Sequence, residues 1–186
     1  MHGLDLNEQY IKAAKLINEQ IHPLPNCQFV VGNSLHLPFA KHSFEFVISQ
    51  HACMNIDQKQ SLLKGLHKVI KPQGQLLMHE IILGPQAHET DMLYPTPWAQ
   101  EKSESYLCHW HAFEHLALTA GFKLEYFSEH SAAALSWIKH SRQQPAPTAF
   151  KPSLVLGAGA AAMSNNTAHN LAAGSLQVVN LCLRKP

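Results

Sequence analysis

The amino-acid sequence predicts an α/β domain on a mostly parallel sheet, and three observations predict it. Three apolar runs, Phe29–Gly32, Phe44–Ser49 and Gln75–Leu83, read as strands of the kind buried on both faces. Segments with apolar residues at helical spacing alternate with them, as in chains that join parallel strands. Each run gives way at its C-terminal end to small, polar or acidic residues, and ligands of such sheets sit outside the carboxyl ends of the strands. Asn33, Ser34, Ser49, Gln50, His51 and Glu80 are therefore expected around one site.

Taken in order, Met1–Leu6 is a strand end, and Asn7 caps a helix Glu8–Gln20 whose apolar positions are Tyr10, Ile11, Ala14, Leu16 and Ile17. Asp5 thus stands where a strand meets a helix. Pro23 and Pro25 end that helix and admit a strand Gln28–Gly32; Leu37-Pro38-Phe39 makes a rigid crossing to Phe44–Ser49. Asp57 is expected to cap the next helix, which carries Leu62, Leu63, Leu66, Val69 and Ile70 on one side. Lys71-Pro72-Gln73-Gly74 is expected as a type I turn, with Pro72 second and Gly74 fourth. The strand Gln75–Leu83 follows.

An irregular stretch of about 85–105 holds Pro85, Tyr94, Pro95, Pro97 and Trp98, and a loop of this length reads as a lid. Beyond it come a helix His109–Ala120 closed by Gly121, a strand Phe122–Ser128, a helix Ser131–Ser141 and a proline-bearing connector Gln143–Pro152. A long Ala-rich helix, Ser153–Ala173, stops at Gly174 before the last strand, Leu176–Leu183. No internal repeat is visible, and residues 1–186 read as a single domain.

Composition excludes several classes. At 186 residues, 46% hydrophobic and 15% charged, the chain is of ordinary globular type. A formal net charge of +1, with Lys and Arg placed singly, gives no footprint for nucleic acid. Cys27, Cys53, Cys108 and Cys182 are far apart and form no CxxC pair, so they read as free thiols in a reducing cytoplasm. No signal peptide is expected, and the longest apolar stretch, Leu154–Met163, is too short for a membrane span. His111 and His115 stand at i, i+4, but no acidic residue of the HExxH kind lies between them and no second ligand cluster matches them. A solvated helix face is expected there, with no metal.

The segments GLDLN, GNSLHLPF, HSFEFVISQHACMNI and HKVIKPQG, in this order and spacing, resemble the class I S-adenosylmethionine-dependent methyltransferases. The resemblance implies a Rossmann-like sheet with an antiparallel last strand, S-adenosyl-L-methionine as cofactor, and methyl transfer to N, O or C of a small-molecule substrate. It implies that Asp5, with Leu6 beside it, binds the cofactor ribose, and that Asn33, Ser34 and Leu35 flank the adenine. Ser49, Gln50 and His51 would then face the methionine part of the cofactor and the substrate. The second half, with YPTPWA and NTAHNLAAG, is similar to the sarcosine and dimethylglycine methyltransferases. On that reading His51 is a substrate contact or base, or else a satisfied buried histidine. Glu80 orients a substrate group or makes a structural hydrogen bond, while Tyr94 and Trp98 stack on a substrate amine or only cover the cleft.

The sequence departs from the family pattern in Asn33 for aspartate, in Gln73 for the first turn glycine and, most deeply, before Asp5. No glycine-rich E/DxGxGxG loop or strand carrying it precedes Asp5, and in the family that strand is central. The expectation is an N-terminally truncated methyltransferase sheet with an open interior edge and impaired cofactor binding. The alternative is a non-catalytic or regulatory methyltransferase-like remnant.

Overall fold

The computed structural model describes residues 1–21, 26–143 and 153–186. The expected helix stops at Pro23 and Pro25, and residues 144–152 of the connector, lie outside the described residues. The described elements are β1 (His2–Asp5), α1 (Glu8–Ile21), β2 (Gln28–Val31), β3 (Phe44–Gln50), α2 (Lys59–Val69), β4 (Ile70–Leu83), α3 (Trp110–Thr119), β5 (Lys123–Glu129), α4 (Ser131–Gln143), α5 (Ser153–Leu156), α6 (Ala160–Ala172) and β6 (Leu176–Arg184). Short 3-10 turns follow β2 at Ser34–His36 and β3 at Cys53–Asn55.

The strands form two sheets. β1 pairs with β2 in parallel, and a four-stranded sheet runs β3-β4-β6-β5, with β3 parallel to β4 and β6 antiparallel to both its neighbours. The expected antiparallel last strand is therefore present. So is the open interior edge, because among the described residues no ladder joins β1 to β3. The two sheets meet at the end where β1 and β3 begin: the ring of His2 lies 5.6 Å from Phe39 and 5.5 Å from Phe44, edge on.

The main core is built on one face of the four-stranded sheet. Strand residues alternate between faces, so Leu76, Met78, Glu80 and Ile82 of β4 point together against Leu62, Leu63 and Leu66 of α2 and Phe113 and Ala117 of α3. A second apolar cluster joins Leu83, Leu171, Leu176 and Val178 to Met54, Met92 and Leu107. The other face of β3 is bare, with Phe46 61% and Ile48 74% exposed. Most of the apolar stripe on α1 is also bare: Ile11 is buried, while Tyr10, Leu16 and Ile17 are each more than half exposed. A helix over only two strands has too little sheet to cover its apolar side.

Three local expectations are corrected. α2 starts at Lys59 after Gln58, with no side-chain cap, so Asp57 is not its cap. The Ala-rich helix is two pieces, α5 and α6, separated by a turn at Gly157–Gly159 where Gly157 takes φ +71°. At Lys71–Gly74 the backbone loops out of the β3–β4 ladder, since Phe44 pairs with Ile70 but Phe46 with Gln75. Gln73 there has φ +63°, the sign a type II turn requires at its third position and a type I turn forbids.

Contacts from the end of the chain hold that turn. Gln73 N–H donates to Lys185 O at 2.9 Å, Lys185 N–H donates to Gly74 O at 2.9 Å, and the Lys185 ammonium donates to His67 O and Ile70 O. A Cβ on Gly74 would come within 2.7 Å of Glu45 O, so only glycine fits there. Gln73 uses only its backbone in these bonds, whereas left-handed backbone costs a non-glycine residue about 1–2 kcal/mol. Gln73→Gly is therefore expected to stabilise the protein by about 0.5–1 kcal/mol, since glycine's own entropy cost offsets part of the relief. Urea unfolding measures it, and a loss of stability would contradict the strain argument.

Candidate functional site

The exits of β1 and β2 are joined. Asp5 pairs with Val31, and Gly32 N–H donates to Asp5 O at 2.9 Å, which brings Asp5 and Asn33 side by side. The side chains on both exits shape the backbone first. Asp5 Oδ1 accepts from Asn7 N–H at 2.7 Å, and Asn7 Oδ1 accepts from Gln9 and Tyr10 N–H, so Asn7 caps α1 as expected. Asn33 Oδ1 accepts from Leu35 N–H at 2.8 Å and caps the 3-10 turn. Asp5 and Asn33 are both exposed, and neither the second Asp5 oxygen nor the Asn33 amide nitrogen takes part in these turns. Leu6 is 72% exposed beside them, whereas Leu35 leans onto the main core.

At the β3 exit the side chains divide between the two faces. Ser49 Oγ donates to Glu80 Oε1 at 2.6 Å, and Ala52 N–H and Cys53 N–H both donate to Glu80 Oε2 at 3.1 Å. Glu80 is only 2% exposed, and burial pushes its carboxyl pKa up while these hydrogen bonds pull the other way. Its geometry is that of a buried tie between β4 and the loop after β3, which is the structural hydrogen bond that the sequence left open beside a substrate contact. Ser49 turns its hydroxyl inward for the same reason, while Gln50 remains exposed at the strand end.

His51 breaks from the strand with φ +49°. Its N–H donates to His79 O at 2.9 Å, and its ring meets the His79 ring edge on at 4.7 Å. His79 Nδ1 lies 2.5 Å from Asn180 Oδ1, an acceptor, which places the proton on Nδ1. His79 and Asn180 are directly paired across β4 and β6 although far apart in the chain. Sequence reasoning missed both of them. Their only sequence signal was alternation along β4, which sets His79 opposite in facing to Met78 and Glu80.

Tyr94 and Trp98 do not reach this rim as free lid residues. Both are half-buried and pack on the second apolar cluster, with Trp98 Nε1 donating to Ser105 Oγ at 3.1 Å. The segment around them is pinned: buried Asn170 accepts from Leu93 N–H and donates to Leu93 O. Another buried tie holds the loop after β3, where the Lys59 ammonium donates to the carbonyls of Cys53, Ile56 and Tyr106. Among the described residues no group of three or more His, Cys, Asp or Glu side chains could hold a metal, and no helix is long and apolar enough to cross a membrane.

Burial, and then the neighbouring His79, lowers the pKa of His51; burial, and then Lys185, lowers that of His67. A histidine titrating below its unfolded value of about 6.5 binds fewer protons folded than unfolded near that pH. Its contribution to stability is therefore full above about pH 6.5 and is lost as pH falls toward the folded pKa. Stability is expected to fall as pH drops below about 6.5, and His51→Gln is expected to flatten the slope. Glu80, with its raised pKa, acts in the opposite sense, so the difference between wild type and His51→Gln is the decisive reading. An unchanged slope in the variant would contradict the assignment.

Residues 1–78 match the family described as Methyltransferase domain. The demethylmenaquinone methyltransferase of Lysinibacillus sphaericus is 28% identical over 78 residues, 42% of this chain and 32% of the relative. The ubiquinone/menaquinone biosynthesis C-methyltransferase UbiE of Haemophilus ducreyi is 30% identical over 76 residues, 41% of this chain and 29% of the relative. These matches span about a third of the curated relatives' length. Among solved structures, a Haemonchus contortus phosphoethanolamine N-methyltransferase superposes with a TM-score of 0.78 at 16% identity, over 100% of this chain and 43% of its own. Geranyl diphosphate C-methyltransferase of Streptomyces coelicolor superposes with a TM-score of 0.77 at 12% identity, over 100% of this chain and 62% of its own. The chain thus has the Rossmann-like fold of these methyltransferases.

Proposed function

We propose that this chain supplies the adenosine-facing and acceptor-facing parts of an enzyme that transfers a methyl group from S-adenosylmethionine to nitrogen, oxygen or carbon of a small metabolite. The observation that carries the proposal is the joined exit of β1 and β2, where exposed Asp5 and Asn33 stand side by side within the segment that matches the methyltransferase family. The open Asp5 oxygen suits a pair of ribose hydroxyls, and the Asn33 amide can donate to or accept from an adenine edge without adding charge. Leu6 offers an apolar surface next to both.

Bound at this rim, S-adenosylmethionine would supply an electrophilic methyl group on a sulfonium. The chain's own part is orientation and exclusion of water. Ser49, Gln50 and His51 form the β3 exit, where Glu80 holds the backbone after the strand. His51, whose proton affinity is lowered, is neutral at pH 7 and able to accept a proton from an acceptor group.

The gap between β1 and β3 favours one second reading, a methyltransferase-like remnant that contacts the cofactor without turning it over. Two measurements on one isotope-labelled sample separate the readings. Titration with S-adenosylhomocysteine is expected to shift the amides of Leu6, Asn33, Ser34, Leu35, Gln50 and His51. Absence of saturable shifts at these positions would overturn both readings. Release of labelled methyl into a small-metabolite pool would then select the enzyme over the remnant.

A further inference from the structure

Beyond the β4 exit lies a cleft of about 450 Å³ that the reading above does not use. Its lining includes His88, Thr90, Lys102, His109 and Ala112, against an apolar floor of Leu83 and Leu107. Leu83 N–H donates to Cys108 O, which fixes the start of α3 at the strand end. The cleft is therefore rich in donors drawn from three separate segments.

Two details give those donors a direction. His109 stands at the N-cap of α3 without a side-chain cap bond, and its Nδ1 is buried with no hydrogen-bond partner. The first helical bond runs from Phe113 N–H to His109 O, so the amides of Trp110, His111 and Ala112 have no acceptor within the helix. Buried polar atoms are ordinarily satisfied, and an orphan beside a cleft with a lysine and a second histidine asks for a hydrogen-bonding partner. Asp91 Oδ2 accepts from His88 N–H at 2.7 Å, which fixes the turn that carries His88 and Thr90.

We infer that this cleft binds the phosphoryl group of a small molecule, through His88, Thr90, Lys102 and His109, with the α3 amides behind them. A carboxylate has two oxygens to share among donors from His88 to Ala112; a phosphoryl group has three and carries more charge. The inference rests on the proposed function in one respect only, that the phosphoryl-bearing molecule is then the methyl acceptor.

The test uses the whole chain. Inorganic phosphate, titrated at constant ionic strength, is expected to give saturable amide shifts at 88–91, 102 and 109–112, while acetate gives shifts that do not saturate over the same range. His88→Gln and Lys102→Met, both at exposed positions, are each expected to weaken phosphate binding by about tenfold with the spectrum otherwise unchanged. Non-saturating phosphate shifts, equal affinity for acetate, or unchanged affinity in both variants would overturn the site. S-adenosylhomocysteine reports on different amides, so a failure here leaves the methyl-transfer reading standing, and the reverse also holds.

Discussion

Glu80→Ala is expected to destabilise the protein by about 3–5 kcal/mol, a large share of the 5–15 kcal/mol typical of a folded domain. The substitution removes the acceptor of three donors at once, Ser49 Oγ–H, Ala52 N–H and Cys53 N–H, and leaves a void in the main core. Each unpaired buried donor costs about 1–3 kcal/mol, discounted here because Ser49 and Ala52 are only partly buried. Glu80→Gln keeps the shape and one acceptor oxygen but turns an NH2 toward a donor, so a smaller loss of about 1–2 kcal/mol is expected. Urea denaturation of both variants measures the pair. A Glu80→Ala protein within about 1 kcal/mol of wild type would show that water or a rearranged loop satisfies those donors.

The second large effect concerns affinity. S-adenosylhomocysteine is expected to bind this chain with a Kd near millimolar, about a thousandfold weaker than a micromolar complex. In the proposed reading Asp5 and Asn33 face the adenosine and Gln50 and His51 the far side, while the unpaired edges of β1 and β3 stand between them. Two or three hydrogen bonds lost from the middle of the ligand, at about 1–3 kcal/mol each, give that difference. Asp5→Ala removes a further 1.5–3 kcal/mol or so of charge-assisted bonding and is expected to bring binding below detection. Calorimetry decides the matter. Micromolar binding by the wild type would show that another element bridges the gap, and Asp5→Ala without effect would remove Asp5 from the site.

Much of this architecture was legible because short-range chemistry dictates it. Asn7 at the start of α1, Gly121 after α3 and Gly174 after α6 are positions where a local cap or positive φ decides the outcome. The neighbourhood of Asp5 and Asn33 was legible for the same reason, since both lie at the exits of their strands. What escaped prediction depends on contacts distant in sequence. The Lys71–Gly74 turn takes the form its residues disfavour because Arg184 and Lys185 grip it from the far end of the chain. Tyr94 and Trp98 looked like free lid aromatics until Asn170 was seen to pin their segment. His79 and Asn180 acquire meaning only through the β4–β6 register, and the structural role left open for Glu80 follows from its side of β4 facing the core.

The division of the strands into two sheets also sets how the molecule opens. Among the described residues none before Leu35 belongs to either apolar cluster, so β1, α1 and β2 are expected to open as a unit of their own, with the aromatic contacts of His2 among those that join it to the rest. Such a unit opens sub-globally at lower free energy than the four-stranded sheet, and its amides exchange with solvent sooner. Asp5 and Asn33 ride on it. On the proposed reading, adenosine binds only the closed fraction, and its apparent affinity is expected to be reduced by that fraction. By mass action, a nucleoside that binds the closed form is expected to slow exchange in β1, α1 and β2 while leaving β4 and β6 untouched.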